Sequence, residues 1–194
     1  MFAGKGKRMA KLIYLMNTSL DTYVADEHGG FSWIVPDEEW IGYINNLCSS
    51  CGTFLYGRRM YEAMVYWETE YAAHNHQEFH LEFARHWQAA EKIVYSRTLA
   101  EPRSTRTRIE HEFDAEAVRQ LKVNAERDIT IQGPEIAAHA LKAGLVDEVQ
   151  IFVLPVIVGG GKRFLPDGLR LDLELVEEQV FRSGVVAMRY AVRS

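Results

Sequence analysis

The run of residues 151–163 constrains the fold of this chain more than any other stretch. Residues 151–158 form an almost unbroken series of β-branched, aromatic and aliphatic side chains, which predicts a strand buried on both faces. Pro155 has no N–H to donate, so we expect a bulge or a locally unpaired edge inside that strand. Three glycines and two cations follow, at Gly159, Gly160, Gly161, Lys162 and Arg163.

Two interpretations of this glycine turn stay open from its own residues. Glycines let a backbone approach a ligand closely, and Lys162 and Arg163 bring positive charge nearby. The same residues also suit a flexible surface turn. Their spacing matches neither the dinucleotide-binding fingerprint nor the P-loop.

The length and charge of the chain limit the classes of protein to consider. Its 194 residues suit one domain, and we expect a loosely ordered tail over residues 1–8 and a single domain over 9–194. A formal charge of −5 argues against a general nucleic-acid binder, and no apolar run is long enough to span a bilayer. We therefore expect a cytoplasmic protein with a small-molecule ligand.

Neither the cysteines nor the histidines predict a metal site. Cys48 and Cys51 form one Cys-x-x-Cys pair without the second pair that a zinc site needs, which favours two reduced thiols. His76 and His80 are spaced to share a helix face, but no acid clearly completes a site, so solvated histidines are favoured.

Strands and helices alternate along the chain and give way to strands at its end. The expected strands cover residues 11–16, 53–56, 92–95 and 129–132, and the expected helices begin near residues 36, 60, 74, 114 and 133. Residues 101–108 are polar and read as a loop, whereas residues 171–181 alternate and pair with 185–192 in a hairpin. The pattern predicts an α/β fold of three layers, with a mixed, mainly parallel sheet, helices on both faces and a C-terminal antiparallel hairpin.

Polar groups recur where the expected parallel strands end. In such a sheet, ligands collect at the carboxyl ends of the strands, near the first turns of the following helices. Four of these ends carry suitable residues: Asn17 with Thr18, Gly57 with Arg58 and Arg59, Ser96 with Arg97, and Gly133 with Pro134 and Glu135. Their recurrence indicates an extended polyanionic ligand such as a nucleotide.

The same segments, taken in order, resemble a known group of enzymes. Residues 19–25, 54–58, 131–134 and 155–161 together are similar to the dihydrofolate-reductase-like superfamily. Within it, the chain most resembles a stand-alone version of the C-terminal reductase domain of bifunctional riboflavin-biosynthesis deaminase-reductases. The deaminase motif, a His-x-Glu followed by Pro-Cys-x-x-Cys, does not occur in this sequence.

This resemblance implies NADPH as cofactor and assigns roles along the strand ends. Asn17 would lie near the nicotinamide carboxamide, and Gly159, Gly160 and Gly161 would lie close to the cofactor. The turns that would meet its phosphates and its adenosine half contain Gly57, Arg58, Arg59, Ser96, Arg97, Gly133, Pro134 and Glu135. Arginines near the ribose favour NADPH over NADH.

The proton donor has three candidates, each with a structural alternative. Glu38 matches the substrate-side carboxylate of folate reductases and Asp37 falls one place earlier, but acids at a helix start also compensate the helix dipole. Asp21 would face the substrate, or else cap its own turn. Trp33 matches a substrate-binding tryptophan, and Thr22 stands where the family commonly has glycine, which predicts a different backbone shape there.

The expected function is an NADPH-dependent reductase that delivers hydride to a C=N or C=O bond. The resemblance suggests a pteridine, an aminopyrimidine or a ribosylaminouracil phosphate as the substrate. A non-catalytic nucleotide-binding or dimeric module on the same fold is the alternative. The resemblance also implies a homodimer.

Overall fold

The chain alternates between strands and helices for most of its length in a computed structural model, which describes residues 8–69 and 77–193. The strands within these residues are β1 (Leu12–Thr18), β2 (Tyr23–Ala25), β3 (Cys51–Gly57), β4 (Glu91–Tyr95), β5 (Thr107–Glu110), β6 (Asp128–Gln132), β7 (Glu148–Val153), β8 (Lys162–Arg163), β9 (Leu173–Val180) and β10 (Val186–Val192). The helices are α1 (Glu38–Ser49), α2 (Arg58–Met64), α3 (Tyr66–Thr69), α4 (Glu78–Ala89), α5 (Ala115–Asn124) and α6 (Pro134–Lys142).

Eight of these strands form one mixed sheet in the order β5-β4-β3-β6-β1-β7-β10-β9. The strands from β5 to β7 pair in parallel, while β10 is antiparallel to β7 and β9 is antiparallel to β10. Short strands β2 and β8 pair separately as an antiparallel ribbon. The predicted fold class, a mixed and mainly parallel sheet with a C-terminal hairpin, is therefore confirmed.

Both faces of the sheet are covered, which explains the uninterrupted apolar strands of the sequence. In β1, Ile13 and Leu15 pack into one core cluster with α1, α2 and α4, whereas Leu12 and Tyr14 pack into a second with α5 and α6. Alternate side chains of a strand point to opposite faces, so a strand between two helical layers has no polar face.

The strand expected over residues 151–158 ends earlier than predicted. β7 stops at Val153, and the chain leaves the sheet at Leu154, with Pro155 exposed. The N–H of Val156 donates to the carbonyl of Leu154 at 2.8 Å, and Ile157 is 72% exposed. Pro155 has no donor to continue the ladder, so it ends the strand instead of forming a bulge within it.

One other expectation is wrong, at an edge of the sheet. The end of the polar segment predicted as a loop forms β5, whose Arg108 and Glu110 are exposed and give it no apolar pattern. At the opposite edge, β9 and β10 form the predicted antiparallel hairpin, and β9 shows no buried residue although its sequence alternates. An edge strand has a neighbouring strand on one side only, and its side chains are less buried than those of central strands. Its sequence therefore need not show the apolar pattern that burial imposes.

Parts of two predictions lie outside the described residues. Of the predicted tail, only Arg8 is described; it pairs with Asp128 at 2.7 Å and so contacts the rest of the fold. The division into a tail and one domain stays a prediction. Of the histidine pair, His76 lies outside the described residues, while the His80 ring lies 4.3 Å from that of Phe79. Within residues 8–69 and 77–193, no three His, Cys, Asp or Glu side chains group as metal ligands.

The two cysteines are free thiols in buried positions. Cys48 lies in the last turn of α1, and Cys51 begins β3. Burial raises the pKa of the Cys51 thiol to about 11 and also raises that of Cys48. Thiols that resist deprotonation are poor nucleophiles and redox groups, as the sequence interpretation expected. No helix in the described part of the chain is long and apolar enough to cross a membrane.

Thr22 has a left-handed backbone conformation, with a φ of +69°. Glycine adopts this conformation readily, so a glycine would fit here without strain, and a backbone shape different from that of the family stays a prediction. The carbonyl of Thr22 accepts from the N–H of Phe164 at 2.9 Å, and its N–H donates to the carbonyl of Ser19 at 3.0 Å. These bonds hold a β-branched residue in a conformation that costs roughly 1–2 kcal/mol.

Thr22→Gly is expected to stabilise the protein by about 1 kcal/mol, because glycine removes that strain at a smaller entropic cost. Urea unfolding followed by tryptophan fluorescence measures the change. Thr105→Gly is the matched control, since Thr105 is also exposed but has no positive φ, and it should destabilise. A Thr22→Gly variant that is less stable than the parent would contradict this assignment of strain.

Candidate functional site

A cleft of about 1570 Å³ opens at the carboxyl ends of β1, β3, β4 and β6. Parallel strands leave the sheet at the same edge, so residues distant in sequence meet there. The structure brings most of the predicted cofactor residues to the wall of this cleft: Asn17, Gly57, Arg58, Arg59, Ser96, Arg97, Gly133, Pro134, Glu135 and Gly161. Their individual roles stay predictions.

Two glycines end neighbouring strands at the centre of the cleft. A Cβ on Gly133 would lie 3.5 Å from the backbone nitrogen of Gly57, so no side chain separates the two strand ends. Gly133 has φ +106°, which favours glycine, and it precedes Pro134 at the first position of α6. No side chain caps this helix, so the N–H groups of its first turn are available to a ligand at a place where backbone can be approached closely.

The cations of the cleft differ in whether they already have an acidic partner. Arg58 pairs with Glu62 at 2.9 Å, Arg97 pairs with Glu112 at 2.8 Å, and Lys162 pairs with Glu135. The hydrogen bond and the charge of Lys162 lower the pKa of Glu135. Arg59 forms no ion pair with any residue in the described part of the chain, so its charge is the one most available to an anionic ligand.

Ser96 has a structural role in the turn after β4. Its hydroxyl accepts from the N–H groups of Thr98 and Leu99 at 3.2 and 2.9 Å. The ring Nδ1 of His111 lies 3.2 Å from the Ser96 carbonyl oxygen. These contacts fix the turn that carries Arg97, and they occupy the Ser96 hydroxyl.

The glycine turn after β7 contacts the cleft only at its last glycine. Gly161 lines the cleft, and a Cβ there would lie 2.1 Å from the carbonyl oxygen of Ala25, so this position accepts no other residue without moving the backbone. Gly159 and Gly160 are not among the lining residues. At Gly161 the turn approaches the backbone of β2 closely, and the closeness of the three glycines to the cofactor stays a prediction.

Asp21 ties the turn before β2 to the loop after β7. Its carboxylate accepts from the N–H of Gly159 at 2.7 Å and from that of Val158 at 3.1 Å. A hydrogen bond from Ser19, with these backbone bonds, lowers its pKa to about 2. At neutral pH this group holds no proton to donate, which favours the turn-capping role over the catalytic one.

The other predicted catalytic residues do not line the cleft. The Asp37 carboxylate caps α1 by accepting from the N–H of Trp40 at 2.8 Å, and Glu38 is exposed in the first turn. Trp33 packs beside the first core cluster, and its ring Nε1 is buried without a partner in the described part of the chain. The dipole-compensating interpretation of the two acids has geometric support, and their catalytic roles stay predictions.

Sequence reasoning missed two parts of the cleft wall. At its polar end, the Phe113 and His139 rings stack at 5.7 Å, and Tyr95 lies beside Phe113. At its other end, the wall is apolar and comes from α1, β3 and α2. The helical spacing of Trp40, Ile41 and Ile44 was visible in the sequence, but it marks a buried face of a helix without showing that a cavity lies against it.

Comparison with known proteins identifies the family of the chain. The model of the RibD C-terminal domain matches residues 10–187. The chain belongs to this family. A Bacillus subtilis (strain 168) protein described as uncharacterized, YyaP, is 27% identical over 187 residues, which cover 94% of this chain and 95% of that protein.

Solved structures show the same fold at low identity. A putative riboflavin biosynthesis protein from Shewanella sp. PV-4 matches with a TM-score of 0.72 and 18% identity, covering 96% of this chain and all of the other. A dihydrofolate reductase from Enterococcus faecalis, solved in complex with NADP(H), matches with a TM-score of 0.64 and 13% identity, covering 95% and 97% of the two chains. The resemblance stated from the sequence is confirmed.

Asp21→Asn is expected to reduce stability at neutral pH, because the neutral amide offers one oxygen to two N–H donors. The folded-state pKa of about 2 lies below the usual value for aspartate, so the stabilising contribution is present above about pH 4 and is lost as the pH falls towards 2. Urea unfolding at several pH values should show that the difference in the free energy of unfolding between variant and parent becomes smaller below pH 4.

Asp167→Asn is the matched control, because Asp167 is exposed and no ion pair or hydrogen bond of its side chain occurs within the described residues. If the difference in the free energy of unfolding between Asp21→Asn and the parent stays constant from pH 7 to pH 3, the carboxylate charge does not hold the loop.

Proposed function

We propose that the protein is an NADPH-dependent reductase that delivers hydride to a C=N or C=O bond of a small substrate. Membership of the RibD C-terminal domain family supports a reductase-type function. One observation supports the cofactor more than any other: four strand ends meet in one cleft that offers backbone donors and Arg59, which forms no ion pair within residues 8–69 and 77–193. The structurally similar dihydrofolate reductase was solved in complex with NADP(H), which supports the same cofactor.

The residues present fit a nicotinamide dinucleotide. The pyrophosphate would lie where Gly57 and Gly133 leave the backbone bare, near the first N–H groups of α6. Arg59 would balance phosphate charge, and Asn17 offers an amide donor and acceptor at the end of β1. When bound, the reduced cofactor supplies the hydride.

The chain then has to place the acceptor and let a proton reach it. Hydride adds to the carbon of the C=O or C=N bond, the π electrons move to oxygen or nitrogen, and that atom takes one proton. Asp21 is ionised, Asp37 caps a helix, and Glu38 lies away from the cleft wall. Water entering by the open mouth of the cleft is therefore the proton source in this proposal.

Asp21, Asp37 and Glu38 do not line the cleft, which also favours a second candidate, a nucleotide-binding module without turnover. Both candidates predict cofactor binding, and they differ in whether a bound carbonyl or imine compound is reduced. NADPH oxidation with any such compound above the rate without protein decides for the reductase.

Arg59→Ala is expected to weaken NADPH binding about tenfold or more, which is the loss of one charged hydrogen bond, and to change NADH binding much less. Arg58→Ala should have a smaller effect, since Arg58 is already paired with Glu62. Isothermal titration calorimetry with NADP⁺ and NAD⁺ can measure both affinities without turnover.

Arg119→Ala is the control for this comparison, because Arg119 pairs with Glu116 on α5 and does not line the cleft. If Arg59→Ala weakens the binding of NADP⁺ and NAD⁺ equally, Arg59 does not contact the 2′-phosphate and instead contacts a part that the two cofactors share. No binding of either cofactor to the parent protein would refute the proposed function.

The homodimer and the cytoplasmic location expected from the resemblance stay predictions. The exposed Leu175 and Val180 of β9, at the outer edge of the sheet, are compatible with a partner there. Sedimentation equilibrium distinguishes a monomer from a dimer directly.

A further inference from the structure

The cleft has two ends of different chemistry. The polar end follows the strand ends and carries the cations and acids described above. The other end, which we term the apolar sector, extends between α1, β3 and α2 and is lined by Ile34, Trp40, Ile44, Phe54, Met60 and Ala63. Ile34, Met60 and Ala63 are partly exposed, whereas Trp40, Ile44 and Phe54 are at most 8% exposed, so a ligand that enters the sector first contacts Ile34, Met60 and Ala63.

The helix that forms one wall of the sector directs its charges away from it. Trp40, Ile41, Ile44 and Cys48 recur at helical spacing and line the cleft. The acids of the first turn, Glu38 and Glu39, are exposed, and the Glu39 carboxylate accepts from the N–H of Arg182 at 3.1 Å. An acid at Ile41 or Ile44 would face the sector, and the sequence has none there.

The ionisable groups of the sector are uncharged at neutral pH. The Tyr56 hydroxyl accepts from the Trp87 Nε1 at 3.1 Å, and burial raises the pKa of this phenol well above its ordinary value. The Cys48 thiol also has a raised pKa because it is buried. Both groups are therefore neutral, and they add no charge to the apolar wall.

Two cations of α2 line the cleft and precede Met60: Arg58, which is paired with Glu62, and Arg59. Arg59 begins the turn of α2 that leads to Ala63, but its charge contributes to lowering the pKa of Glu135 at the start of α6. In the proposed function this charge faces cofactor phosphate. Among the described residues, the other charged ones that line the cleft belong neither to α1 nor to residues 60–64; they are Asp26, Glu27, Arg97, Glu112, Glu135 and Lys162.

We infer that the part of the carbonyl or imine substrate that enters the apolar sector is uncharged and largely apolar and carries no phosphate. This inference rests on the proposed function for the reaction, but it concerns only the apolar sector. A phosphate placed there would lose its hydration without gaining a cation, which costs several kcal/mol. A flat neutral ring would instead be bound by apolar and aromatic contacts.

Two probes that differ in one fixed charge test this inference. Isatin is a flat neutral ketone, and isatin-5-sulfonate is the same ring system with an anion. Each is titrated into the protein in the presence of saturating NADP⁺ and again without it, with quenching of tryptophan fluorescence as the readout. Isatin is expected to bind at least about tenfold more tightly than the sulfonate, since one uncompensated charge costs more than 1.4 kcal/mol.

A cation added to the sector should reverse this preference. Ala63→Arg places a guanidinium on the partly exposed wall and is expected to strengthen binding of the sulfonate several-fold while weakening that of isatin. Val123→Arg is the matched control, because Val123 is 51% exposed on α5 and lies away from the cleft. The control should leave both affinities unchanged.

The inference is overturned if the parent binds the sulfonate as tightly as isatin. It is also overturned if isatin fails to saturate at millimolar concentration, or if uridine 5′-monophosphate, a phosphorylated pyrimidine, binds more tightly than isatin. Failure of the proposed function is distinguishable, because it appears as absent NADP⁺ binding, whereas the titrations without cofactor still report on the sector.

Discussion

The parallel pairing of β3, β6 and β1 is the constraint on which the rest of the molecule depends. Tyr56 lies opposite Gln132, and Tyr14 lies opposite Ile131. The carboxyl ends of the three strands therefore lie at the same end of the sheet. β3 and β6 end within one residue of the Tyr56–Gln132 pair, while β1 continues along β7 to Thr18, and the residues at these three strand ends line a single cleft. The glycines at two of these ends leave the backbone uncovered where a ligand would have to approach closely.

A second set of interactions holds the border of the cleft beside β1. β2 and β8 pair there, Asp21 accepts two N–H groups from the loop after β7, and Gly161 packs against Ala25. Thr22 has a left-handed backbone within the same turn. These contacts are between backbone segments, and their effect is to fix the shape of the mouth. The aspartate that resembled a catalytic group is part of this scaffold.

The sequence predicts the central strands and helices well because burial on two faces leaves a strong pattern. The apolar runs of β1 and β6 and the starts of α5 and α6 near residues 114 and 133 all appear where expected. The edge strand β5 was missed, since two of its four residues are exposed and burial does not shape its sequence. The other edge strand, β9, lies where the C-terminal hairpin was expected. The end of β7 was also missed, because apolar residues after Pro155 resemble a strand although they lie in a loop.

The cleft was predictable at its polar end and not at its apolar end. Glycines and arginines after strands are unusual enough to recognise, but whether an arginine is already paired depends on neighbours such as Glu62 and Glu112. The apolar sector has the same residue types as any core. Only the three-dimensional structure shows that those residues line a space, and that the acids of α1 point away from it.

A crystal structure of the protein soaked with NADP⁺ tests the central claim most directly. If the strand ends form a nucleotide site, the pyrophosphate lies at the start of α6 beside Gly57 and Gly133, with the 2′-phosphate near Arg59. The nicotinamide ring then lies near Asn17 and faces the apolar sector. A cofactor bound elsewhere, or a nicotinamide ring at the Phe113 end of the cleft with the adenine near Asn17, would contradict this account.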